Sequence, residues 1–155
     1  MINYAKRSKM VFNSENVLFK AATPKQNKVA ATLIYDTDPH LFAYWFRNDY
    51  ETALKFFEAE WKQERSLFSS SLCRIAVIGD TLIGIELGYD LKTQTDLQPD
   101  TGITGARGIN PEVLACLIAA VNYLPYLIPP IPEDAYYIAH LSLSRMKCES
   151  LRKIN

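Results

Sequence analysis

Glycine is scarce in this 155-residue chain, with six residues that all fall between Gly79 and Gly108 and none from Ile109 onward. Cysteine is scarcer and odd in number. Cys73, Cys116 and Cys148 stand at wide, irregular spacing, which excludes a disulfide framework and a zinc knuckle, and no metal site is expected. Charge of one sign is also missing: seventeen Lys+Arg balance seventeen Asp+Glu, so no net field draws the chain onto nucleic acid or an anionic membrane. The longest apolar stretch, Val113 to Ile131, is cut by Asn122, Pro125, Pro129 and Pro130, which argues against a membrane span. The basic start (Lys6, Arg7, Lys9) runs into Val11-Phe12-Asn13-Ser14-Glu15-Asn16 rather than the apolar core of a secretory signal. A reduced, cytoplasmic protein is the expectation. What is present, 48% hydrophobic and 12% aromatic residues, suffices for one soluble domain with an ordinary core.

Val17 to Ala22 is a short β-prone run that stops at Thr23-Pro24. Thr23 suits a helix cap, because a proline in the first turn lacks only an N–H that has no partner there. Val29, Ala30, Leu33 and Ile34 then recur at helical spacing. Asp38-Pro39 repeats the device before Leu41, Phe42, Trp45 and Phe46. A further helix is predicted from about Tyr50 to Arg65, its stripe made of Ala53, Leu54, Phe56, Phe57 and Trp61. Aromatic residues at this spacing are read as core rather than as a ligand cage. Leu72 to Ile78 and Thr81 to Tyr89 are β-branched runs joined by Gly79-Asp80, the pattern of a tight hairpin. Residues 90–110 read as a loop insertion, Pro111 opens a helix that Pro125 breaks or kinks, and Ala135 to Leu143 reads as a last strand. Gly102-Ile103-Thr104-Gly105-Ala106-Arg107-Gly108 precedes a helix, as anion-binding loops do, but it lacks the ending and the strand-turn-helix setting of a phosphate loop and reads as a surface insertion.

Three phrases in this order resemble the GNAT family of N-acetyltransferases: Val17 to Pro24, Arg74 to Gly84, and Tyr136-Tyr137-Ile138-Ala139-His140-Leu141-Ser142-Leu143. The resemblance covers about residues 17 to 144. It implies one α/β (α+β) domain over residues 1–155, with a mixed, predominantly antiparallel sheet and flanking helices, like the N-terminal part of the acyl-CoA N-acyltransferase fold. Residues 1–16 are then an N-terminal extension and 145–155 an atypical tail. In the family, a glycine-containing turn after the fourth strand closes on the acetyl-CoA pyrophosphate. Here Ser144 to Asn155 contains no glycine, so the chain looks like the front part of such an enzyme, truncated after the fourth strand.

The resemblance implies acetyl-CoA as co-substrate, a small-molecule or peptide amine as acceptor, and backbone contacts to the thioester from Leu141, Ser142 and Leu143. Uninterrupted alternation puts Leu82, Gly84, Glu86 and Gly88 on one face of the hairpin's second strand, and Tyr136, Ile138, His140 and Ser142 on one face of the last strand. Where those faces coincide, Glu86 and His140 converge as candidate bases for the amine proton. An amine acetyltransferase is one reading. A second is an inactive, truncated relative serving as a binding or oligomerisation module, since an open edge or apolar patch favours a homo-oligomer. A third is a product of frameshift or truncation.

Overall fold

The computed structural model describes residues 17–127 and 129–144. The N-terminal extension and the tail predicted from the sequence lie outside the described residues. In chain order the elements are β1 (Val17–Ala21), α1 (Asn27–Tyr35), α2 (Pro39–Trp45), α3 (Tyr50–Trp61), β2 (Cys73–Ile78), β3 (Thr81–Asp90), α4 (Leu91–Leu97), α5 (Pro111–Leu127) and β4 (Tyr136–Leu143). The strands form one sheet in sequential order, β1-β2-β3-β4, with every neighbouring pair antiparallel.

Local chemistry accounts for the boundaries. Thr23 and Pro24 open a single 3-10 turn rather than the α-helix expected there, and Gln26 reaches back to accept the Thr23 N–H at 2.7 Å. Asp38, Asp49 and Asp90 each accept an N–H three residues on, from Leu41 at 3.0 Å, Thr52 at 3.0 Å and Thr93 at 2.7 Å, and so start α2, α3 and α4. Gly79 alone of the two hairpin residues has positive φ, at 57°, as a II′ turn requires. Pro125 sits inside α5, which continues to Leu127. Residues 90–110, read as a loop, contain α4 followed by consecutive turns.

The core lies between the helices and one face of the sheet. Phe42 meets Phe57 edge-on at 4.9 Å between centroids, and Phe46 meets Phe56 at 5.3 Å, so the aromatics of α2 and α3 fill the core as the spacing suggested. Val29, counted into the apolar stripe of α1, is exposed; Ala31 takes that place. Ile75, Val77, Ile85 and Leu87 supply the sheet's contribution.

Two irregularities change the strand faces. Val77 pairs with Leu82 while Ala76 pairs with Gly84, so Ile83 is an extra residue and Leu82 moves to the core side, where it packs against the core. In β4, Leu87 pairs with His140 while Gly88 pairs with Ile138, which makes Ala139 the extra residue. Beyond this bulge the alternation changes phase. Tyr136, Ile138, Leu141 and Leu143 share one face, and His140 and Ser142 lie on the other. The expectation that Tyr136, Ile138, His140 and Ser142 share a face is therefore corrected by a single inserted residue.

Candidate functional site

Glu86 and His140 do not converge. His140 is paired with Leu87 on the core side, and Glu86 is paired with Leu141 and Arg74 on the opposite face. Each residue's setting decides what it can do.

The His140 ring lies between Phe68, stacked at 5.5 Å, and Phe42, at 6.0 Å. Its Nδ1 is 2.9 Å from the Thr37 hydroxyl oxygen, which is itself 2.6 Å from the Ile34 carbonyl. A hydroxyl has one hydrogen, and the carbonyl only accepts, so that hydrogen goes to Ile34 and Nδ1 must be the donor to Thr37. The neutral tautomer is thereby fixed with its lone pair on Nε2. Burial pulls the imidazole pKa down to about 4, against a smaller opposing pull from Asp38. At neutral pH the ring is uncharged and too weakly basic to compete for the proton of an ammonium group.

Glu86 stands directly across from Arg74, yet among the described residues neither joins an ion pair. The Tyr136 hydroxyl is held above the usual tyrosine range by burial and then by the nearby Glu86 charge. Cys73, on the core side, is no nucleophile, since burial pushes its thiol up to about 12.

The edge of β4 is where backbone chemistry is available. The Ser144 N–H donates to the Ile83 carbonyl at 2.8 Å, so its backbone polar groups point into the sheet. By period-two alternation Ser142 shares that direction, whereas Leu141 and Leu143 turn their N–H and C=O groups outward, where no described strand pairs with them. Of the three residues expected to touch a thioester, Leu141 and Leu143 offer donors at the edge and Ser142 spends its own on β3.

The glycine-rich segment has its own internal acceptor. Glu60 is fully buried on α3, and its Oε1 accepts from the Gly105 N–H at 2.7 Å while Oε2 accepts from the Gly102 N–H at 2.9 Å. Gly102 needs its positive φ of 88°, and a Cβ on Gly105 would stand 2.6 Å from the Phe56 ring. The N–H groups that could have met a phosphate are thus committed to an internal carboxylate. Glu60 escaped the sequence reading although a signal was there: it lies four residues after Phe56 and beside Trp61, within the apolar stripe.

No protein-family model matches the chain, and no curated protein matches it either. Among solved structures the chain is similar to one described as the crystal structure of an acetyltransferase, with a TM-score of 0.53 at 11% identity, over 88% of this chain and 71% of that one. The likeness is one of fold: an α/β domain with an antiparallel four-stranded sheet and flanking helices, as the sequence led us to expect. No described helix is long and apolar enough to cross a membrane.

Proposed function

We propose that this chain handles an acyl-CoA thioester along the open edge of β4 and passes the acyl group to a small-molecule or peptide amine. The observation that carries the reading is the pair of outward backbone donors at Leu141 and Leu143, just beyond the bulge, on a scaffold shared with an acetyltransferase. An extended thioester arm with amide groups is the kind of ligand such an edge accepts, and one of these donors suits the oxyanion that forms when the amine nitrogen attacks the carbonyl carbon. The C–S bond then breaks and the leaving thiolate takes up the proton that the nitrogen gives off, so the products are an amide and a free thiol. The glycine-bearing turn that holds the pyrophosphate in the family would follow β4, where this chain carries no glycine and where the residues after Ser144 lie outside the described part of the chain.

The two expected bases do not meet: His140 is held by Thr37 on the core side, and Glu86 lies on the opposite face of the sheet. Acyl transfer on this scaffold therefore rests on proximity, and amines that arrive deprotonated react fastest. Calorimetry with acetyl-CoA at millimolar concentration tests the reading: binding heat and a raised melting temperature are expected, and the absence of both sinks it. A second reading, an inactive relative that works by association, draws support from the neutral His140 and from the apolar outer face of the sheet. It predicts no acetyl-CoA heat together with a concentration-dependent mass.

A further inference from the structure

The sheet face turned away from the core has the composition of a face meant to be covered. In an antiparallel sheet with one wet side, that side normally carries the polar half of the alternation. Here its rows read Phe19, Ala76, Gly84, Leu143 and then Ala21, Arg74, Glu86, Leu141, with Ile138 beyond them on β4. Phe19 is 70% exposed and Leu141 66%. The glycines flatten this surface. A Cβ on Gly84 would sit 2.6 Å from Leu143 Cδ2, and one on Gly88 would sit 2.7 Å from the Tyr136 ring, so both side chains lie down across the sheet.

Arg74 and Glu86 occupy the two central strands, side by side and of opposite sign. A two-fold axis running along the strands between β2 and β3 lays β2 of one copy over β3 of another and β1 over β4. That operation puts each Arg74 on the other copy's Glu86 and each Phe19 on the other copy's Leu143. A face with this arrangement of charge is complementary to itself. We propose that a second copy of this chain packs on this face, sheet against sheet, with Arg74 of each copy set on Glu86 of the other. The proposal stands independently of the acyl-transfer reading.

Size sets the strength of the pair. Four strands about 4.8 Å apart and averaging about seven residues at 3.3 Å give a face of roughly 19 by 23 Å. Two copies then cover on the order of 900 Å² in projection, near the smallest area that specific interfaces use. The dimer is accordingly weak and visible only as a function of concentration.

Sedimentation velocity on the full chain, from micromolar to millimolar protein, provides the test. The wild type shifts from monomer to dimer. Arg74→Glu places carboxylates on carboxylates and weakens the dimer at least about tenfold, Glu86→Arg does the same with cations, and the double exchange returns the dissociation constant to within about threefold of wild type. Leu141→Glu, at an exposed position beside Glu86, breaks the dimer by putting a carboxylate in place of apolar contact area, and circular dichroism in dilute solution confirms that each variant is folded. A wild type that stays monomeric at every concentration overturns the proposal, as does a dimer indifferent to both Arg74→Glu and Leu141→Glu.

Discussion

Glu60 is a carboxyl side chain with no exposed surface, and its two oxygens both accept from backbone donors of one loop. Glu60→Gln replaces one acceptor by a donor that faces an N–H, so we expect a loss of about 2 kcal/mol on denaturant titration. Indistinguishable midpoints for the two proteins would remove this role for the carboxylate. His140 supplies a pH prediction. Unfolded, the ring titrates near 6.5 and folded near about 4, so between those values the unfolded chain holds the additional proton. Its contribution is complete above pH 6.5 and is lost as pH falls toward 4, by about 3 kcal/mol at most. His140→Gln should flatten the stability profile in that window; an unchanged slope counts against the assignment. The sequence could show His140 and Glu86 as ionisable residues on strands, but not the partner that defines each. Thr37 lies 103 positions from His140, and no local spacing announces that contact.

The elements themselves were largely legible. Pro39 behind Asp38 and Gly79 before Asp80 act through backbone geometry within a few residues, so they fix α2 and the hairpin without help from the rest of the fold. The bulges at Ile83 and Ala139 were not legible, because each depends on how two strands settle against one another, and each reverses the face of everything beyond it. α4 was missed because five polar residues flanked by Leu91 and Leu97 form no apolar stripe and carry little helical signal beyond their Asp90 cap. The phase of β4 gives a paired prediction. Leu141→Pro deletes an outward N–H and spares the ladder, so the fold is retained while acetyl-CoA heat is abolished. Ser142→Pro deletes an inward donor and lowers stability by about 3 kcal/mol, the scale of a lost ladder bond plus a proline misfit. Equal effects of the two substitutions on stability would show that the assigned phase is wrong.

At the scale of the whole molecule, the core lies on one side of an all-antiparallel sheet, and among the described residues the other side exposes Phe19, Ile138, Leu141 and Leu143. The self-association proposed on that side predicts a melting temperature that rises with protein concentration, and Arg74→Glu should remove the dependence. A melting temperature that is flat with concentration in the wild type removes this consequence. Length and composition could not announce an exposed apolar face, since the residues that make it are spread over the strands and meet only through pairing. The Glu60 contacts join positions 42 and 45 residues apart, and β2, β3 and α4 all lie in the intervening chain. Those contacts close a non-covalent ring with the hairpin threaded into its circumference. Opening any part of that arc by more than a local flicker requires the clasp to let go, so β2, β3 and α4 should exchange their amide hydrogens as one cooperative unit, at a rate set by a side chain that belongs to none of them.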